Sequence, residues 1–302
     1  MNKIRVVAFV VLVIIGLFLG YILGNTTVKK VEQDKDATTK LHYSYFSDKA
    51  FLDKAYSNVV EKSSITNNVK GVIVNHHLLA ANLIAETINT IATTSQITVV
   101  LISPNHFSSG RGQIISSLYN WNTPYGILDG DRQTVSELSK LKVINIDEYP
   151  FEKEHGISGI VPFIKKSLPN SKIVPILIKN NLSQNDLNSF VDSLYTTLGP
   201  EVLIIGSFDF SHFYPDNITQ LYDKKSISII TNFNIDNISD VEVDSRPGLE
   251  IVMRYMQKVG ATNFNLIANT NSAQILHDQT INEAVSYING SFSLDVIKFI
   301  HE

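Results

Sequence analysis

The sequence predicts a single α/β domain with a central, largely parallel or mixed sheet flanked by helices. Three observations predict it. Short apolar runs at Gly71–Val74, Ile97–Ile102 and Val202–Gly206 have the length and composition of strands buried on both faces. Segments with apolar residues at helical spacing alternate with them, notably Leu78–Ala92 and Ser183–Leu198. Each of the three runs turns polar at its C-terminal end: Asn75-His76-His77, Ser103-Pro-Asn-His106, and Ser207-Phe-Asp-Phe-Ser-His212. In open α/β sheets that edge is where sites are built.

Ahead of the domain, Val6 to Leu23 is almost wholly apolar and, counted from Ile4, just long enough to cross a bilayer as a helix. The run exceeds a usual signal-peptide core and no Ala-x-Ala site follows, so the expectation is an uncleaved anchor over residues 1–24. Lys3 and Arg5 precede it and Lys29 and Lys30 follow, which orients it only weakly with the N-terminus cytoplasmic. The domain is then expected on the extracytoplasmic side of a single-pass membrane protein. Residues 25–40, polar and charged, read as a solvated linker, and residues 41–302 as the domain.

Within the domain, Phe51–Val60 reads as a helix and Ser108–Asp131 as an irregular section whose Pro and Gly demand turns. A short helix at Thr134–Leu141 and a short strand at Val143–Ile146 follow. Glu154-His155-Gly156 opens a helix running to Ser167. Lys172–Ile178 is strand-like, and its Pro175 suggests an edge position or a bend. Ser183 N-caps the next helix, with Asp186 three residues on. Further helices are expected at Ile218–Phe233 and Leu249–Lys258, and closing strands at Phe264–Ala268 and Val285–Leu294.

Composition narrows the chemistry. A net charge of -4 and the lack of a basic stripe argue against a nucleic-acid partner. The chain has no cysteine, which excludes disulfides, thiolate nucleophiles and Cys-ligated zinc. Of eight histidines, His42, His277 and His301 read as surface residues. His76 and His106 recur at parallel strand ends and so are candidates for a shared metal; His77 should point away. His212 sits at the same edge as a further ligand or a base, and Asp209 is placed to orient an imidazole or hold a water. His155, at a helix N-terminus beside Glu154, suits a neutral imidazole donating to a substrate oxygen. A carboxylate would complete the set. Asp244 is the candidate, but spacing alone does not choose it over Glu242 or Asp240. Two histidines and one carboxylate with open positions is the arrangement of non-haem Fe(II) sites. A hydrolase built on Ser207 or Ser211 lacks the Gly-x-Ser-x-Gly elbow.

Taken in order, six motifs resemble the Memo family (AmmeMemoRadiSam system protein B), which is itself similar in fold to class III extradiol dioxygenases. They are Tyr43-Ser-Tyr-Phe-Ser-Asp48, Gly71-Val-Ile-Val-Asn-His76, Ile102-Ser-Pro-Asn-His106, Trp121-Asn-Thr-Pro-Tyr-Gly126 with Asp129, Glu154-His155, and Ser207-Phe-Asp-Phe-Ser-His212. The resemblance covers Leu41 to Phe292. It implies metal ligands at His76 and His106, and a pocket histidine at His212, the general base of the dioxygenases. Asp244 falls near a position where Memo proteins often carry cysteine and the dioxygenases a glutamate ligand. It also implies Fe(II), with copper as the alternative, and a small-molecule substrate. The chain departs from the pattern at Asn75-His76-His77-Leu78, where Pro-His-Ala-Gly is usual, and at Ser158, where the Glu-His-Ser-Ile-Glu motif has its second Glu. A non-catalytic iron- or copper-binding protein, or an interaction domain with a vestigial site, is the competing expectation.

Overall fold

The computed structural model describes residues 40–59 and 68–294. The expected anchor at 1–24, all of the expected linker but Lys40, and His301 lie outside the described residues. Among the described residues, no helix is long and apolar enough to cross a membrane.

The strands, in chain order, are β1 (Leu41–Tyr43), β2 (Val69–Val74), β3 (Thr98–Pro104), β4 (Ile114–Ser116), β5 (Asn120–Thr123), β6 (Gly126–Gly130), β7 (Asn145–Ile146), β8 (Lys172–Ile178), β9 (Leu203–Ser207), β10 (His212–Tyr214), β11 (Asn263–Asn271) and β12 (Ala284–Ser293). The helices are α1 (Lys49–Ala55), α2 (Ala81–Asn89), α3 (Arg132–Lys140), α4 (His155–Ser158), α5 (Val161–Ser167), α6 (Gln184–Leu198), α7 (Asp216–Thr231), α8 (Arg246–Val259) and α9 (Ser272–Leu276). The sheet runs β1-β5-β6-β8-β3-β9-β2-β12-β10 and is mixed. Its centre, β8-β3-β9-β2, is parallel, while β12 pairs antiparallel with β2, β11 and β10.

Period-2 alternation makes the central strands two-faced. Val72, Val74, Val99, Leu101 and Ile205 pack on one side against residues of α2, α4 and α5, such as Ile84, Ile157 and Phe163. Ile73, Val100, Ile102 and Ile204 pack on the other against residues of α3, α6 and α8, such as Leu138, Phe190 and Val252. Both faces are therefore dry, which explains the continuous apolar runs. Local sequence sets the helix starts. Asp131 caps α3 by accepting from the Thr134 amide, Ser183 caps α6 by accepting from Asp186, and Ser245 caps α8 by accepting from Gly248.

The topology places the site. Between β2 and β3 lies β9, so the ends carrying His76, Asp209 and His106 stand side by side on one edge of the parallel sheet.

Four expectations need correction. Pro175 is not at an edge: β8 is an interior strand, pairing β3 along its whole length. The missing N–H is tolerated because on the other side the partner changes there, from β6 up to Ile173 to β4 from Ile176. The section 108–131 is not irregular throughout; it contains β4, β5 and β6, the last two joined as a hairpin at Pro124-Tyr125. Thr123 Oγ accepts from the Tyr125 amide and donates to the Gly126 carbonyl, holding that turn. The helix expected over 154–167 is two pieces, broken before Pro162 in the first turn of α5. Finally, His42 is buried, 6% exposed, between Tyr119, Trp121 and Phe151, with its Nε2 2.8 Å from Glu148. His277 is exposed, as expected.

Candidate metal centre

His76 leaves the end of β2 with its ring fully inside the protein. Its Nδ1 lies 3.2 Å from Ser207 Oγ, and that hydroxyl donates its only proton to the Gly156 carbonyl at 2.7 Å. Ser207 must therefore accept from His76, which puts the ring proton on Nδ1 and leaves the Nε2 lone pair free. Nε2 faces two carboxylates, Asp209 Oδ2 and Asp244 Oδ2, each at 3.5 Å.

His106, after β3, is organised in the same way. Its Nδ1 is 2.6 Å from Glu154 Oε1, and its backbone amide donates to Glu154 Oε2 at 2.9 Å. Glu154 is 1% exposed, and its Oε1 also accepts from the Gly156 amide as the cap of α4. A carboxylate on Nδ1 fixes the ring orientation and makes Nε2 a better donor to a metal. That Nε2 lies 3.7 Å from Asp244 Oδ2, beyond hydrogen-bond range.

Asp244 stands just ahead of the α8 cap. Its backbone amide donates to the Asp209 carbonyl at 3.0 Å, and its Oδ2 accepts from the Asp209 amide at 3.0 Å. Its Oδ1 is buried with no hydrogen-bond partner. Glu242 and Asp240, which spacing could not separate from it, turn to Arg246 and Lys225 at 3.2 and 3.1 Å. Asp209 Oδ1 accepts from the His76 amide at 3.0 Å.

His155, the first residue of α4, brings a third imidazole. One ring nitrogen from each of His76, His106 and His155 lies within 4.8 Å of the others. His212 opens β10, half-buried, within electrostatic reach of Asp209 and His106. His77 turns away to Tyr287, its Nδ1 2.8 Å from the phenol oxygen. Ser207 and Ser211 are committed to the Gly156 carbonyl and to Asp223 and are buried, which leaves neither as a nucleophile.

The electrostatics are those of a site built around a cation. Burial pushes Asp244 up to about 7, helped by the Asp209 charge and opposed by His106. For His106, burial pulls downward, but Asp244 and Glu154 outweigh it and hold the imidazole up at about 10. Burial, with the neighbouring His106, keeps His76 well below and His155 below the ordinary histidine range. Burial also lowers His212 and raises Asp209. His76 Nε2 and His106 Nε2 converge on Asp244 Oδ2, at 3.5 and 3.7 Å, and in the metal-free protein the positive charge facing these acids is the His106 imidazolium, whose proton a bound metal would displace. Ligands about 2.0–2.2 Å from one ion sit roughly 3.0–3.5 Å apart, close to the spacings here. The residues fit a metal.

The structure thus brings His76, His106 and Asp244 together with Asp209 and His155, and sets His212 at the margin. Sequence reasoning missed Glu154 as the partner of His106 and Ser207 as the partner of His76. The signal for the first was a Glu at a helix cap next to a histidine. For the second it was a hydroxyl at the end of the strand between the two histidine strands.

Comparison with known proteins agrees. Residues 42–291 match the family model described as Memo-like protein. A MEMO1 family protein of Caldivirga maquilingensis is 31% identical over 183 residues, covering 57% of this chain and 64% of the relative. That match spans less than two thirds of the relative's own length. MEMO1 family proteins of Pyrobaculum aerophilum and Methanosarcina barkeri are each 28% identical, covering 61% and 63% of this chain and 70% and 74% of their own.

Proposed function

Given that this chain belongs to the Memo-like protein family, we propose that it is a metal-dependent redox enzyme of dioxygenase type, with His76, His106 and Asp244 holding Fe(II) and copper as the alternative metal. The observation that carries the reading is Asp244, a buried carboxylate with one unpartnered oxygen, facing two imidazoles whose other nitrogens are already committed. Bound Fe(II) would supply electrons for dioxygen chemistry. The protein's own part is positioning and proton movement. Glu154 and Ser207 fix the two imidazoles in one tautomer. Asp209 ties the His76 backbone to the Asp244 segment. Burial keeps His212 neutral near pH 7, so it is able to take a proton from a small substrate. Substrate enters on the side where the His106 and His155 side chains are 24% and 35% exposed, over a floor of His76, Asp209 and Asp244.

The reading also places the domain outside the cytoplasm, carried on an anchor at residues 1–24; the apolar run from Val6 to Leu23 supports this.

The test is oxygen uptake by the iron-loaded full chain over a panel of small oxidisable substrates. His212→Ala should keep the metal and lose uptake. Tight metal binding with no uptake on any substrate would leave a non-catalytic metal-binding protein.

A further inference from the structure

Resting on the reading of His212 as the proton acceptor, we infer that Asp223 is a positioning residue that holds His212 at the margin of the site, acting through Ser211. Asp223 lies in the middle of α7, outside the metal centre, and is 1% exposed. Its Oδ1 accepts from Ser211 Oγ at 3.1 Å and from Ser286 Oγ at 2.7 Å, and its Oδ2 accepts from Asn269 Nδ2 at 2.8 Å. The donors come from three places: the entry to β10, β12 and β11. No lysine, arginine or histidine among the described residues forms an ion pair with it; burial pushes the carboxyl upward and the three hydrogen bonds pull it back. A buried carboxylate without a cation is costly, and an apolar side chain would fill the space at less cost. What Asp223 provides, and an apolar residue would not, is a fixed place for the two hydroxyls.

Those hydroxyls sit one step from His212 on both strands. Ser211 immediately precedes it, and Ser286 follows Val285, its register partner on β12. The Ser286 amide donates to the Ser211 carbonyl at 3.0 Å, and the Phe210 amide donates to the Ser286 carbonyl at 2.9 Å. Asp223 adds a side-chain tie to that backbone pairing. The chain just beyond is strained: Phe213 sits at φ 65°, and the register breaks between His212 and Tyr214. The Phe213 ring is 73% exposed and does not anchor the turn. The His212 ring leans on the Phe210 carbonyl, so it goes where the backbone of residues 210–212 goes. Without Asp223 that segment would be free to relax toward extended backbone and carry the imidazole out of place.

The start of the same segment is tied to the metal centre. Asp209 accepts from the His76 amide, and its own amide donates to Asp244. Held at Asp209 by the site and at Ser211 by Asp223, the segment keeps His212 at a fixed place relative to the metal ligands.

The experiment uses the full chain with Asp223→Ala, Ser211→Ala and Asp223→Asn; the last keeps one oxygen for the two hydroxyls and is the conservative variant. In metal-stripped protein, nuclear magnetic resonance of labelled histidine, assigned with His212→Ala, follows the titration of His212. Its charged neighbours Asp209, His106 and His77 are present in every variant, and burial holds it below the ordinary histidine range. Asp223→Ala and Ser211→Ala should return it toward that range, and Asp223→Asn should stay near wild type. In iron-loaded protein the first two should lower kcat for oxygen uptake about tenfold to a hundredfold, with metal content and KM unchanged. If Asp223→Ala does not fold, Ser211→Ala decides. The inference is overturned if the variants unfold at lower urea concentration while His212 titrates as in wild type, because Asp223 then serves the fold alone. A wild type that takes up no oxygen, with His212 shifted as expected in the variants, upholds the positioning and sinks the redox reading instead.

Discussion

Replacing Asp244 with asparagine should make the metal-free protein more stable while removing its capacity to hold metal. The side chain is 9% exposed, and one of its oxygens has no partner. Folding raises its pKa from 3.8 to about 7, chiefly through burial. Folding therefore favours the protonated acid. That stability is fully present below about pH 4 and is lost as pH climbs to about 7. At 1.36 kcal/mol per pH unit, the loss is on the order of 4 kcal/mol. Asn keeps the shape, still accepts from the Asp209 amide, and has no charge to bury. The assay is urea unfolding of the chelator-treated full chain at pH 5 and pH 8, taken as the difference between Asp244→Asn and wild type so that titrations other than those of Asp244 and its neighbour His106 cancel. The variant should gain about 2.5 kcal/mol over wild type on going from pH 5 to pH 8, the part of that loss that falls above pH 5. Adding metal should reverse the order, because only wild type gains binding energy. A variant that tracks wild type at both pH values would refute the idea that a buried charge is held in place for a cation.

Metal affinity should rise with pH. Binding displaces a proton from His106, held up at about 10, and below about pH 7 one from Asp244 as well, so affinity should climb roughly tenfold per pH unit above 7 and more steeply below it. A flat competition titration against a chelator from pH 6 to 9 would contradict this. Glu154→Gln leaves the His106 ring without its carboxylate and should cost roughly 10–100-fold in metal affinity, measured by the same competition; unchanged affinity would show that the pair only stabilises the fold. Phe213 is 73% exposed and sits at φ 65°, a conformation unfavourable for a bulky side chain. Phe213→Gly should raise the unfolding free energy by about 1 kcal/mol, and a decrease would mean that the ring packs more than its exposure suggests. Because the chain has no cysteine, Lys140→Cys gives a single label site; a membrane-impermeant maleimide should reach it in intact cells if the domain is extracytoplasmic, and only after lysis if it is not.

The sheet and the convergence of its polar ends were legible because both rest on local signals. Val, Ile and Leu runs of strand length announced β2, β3 and β9, and the residues that close those runs include His76, His106 and Asp209. The order of the strands was not legible. That β9 separates β2 from β3, bringing Asp209 between the two histidines, is decided by long-range pairing. The hairpin of β5 and β6 was hidden because its strands are short and carry Asn120, Thr123, Asp129 and two glycines. His42 went unread as a core residue because its partner, Glu148, lies 106 positions away. Asp244 was one of three acids within five residues until the geometry showed Asp240 and Glu242 paired at the surface.

The most direct test of the account is the metal content of the full chain purified without chelator, beside His76→Ala and Asp244→Ala, by elemental analysis. The account predicts about one iron per chain in wild type and its loss in both variants. A wild type that purifies and reconstitutes without metal, or variants that both retain it, would contradict the account.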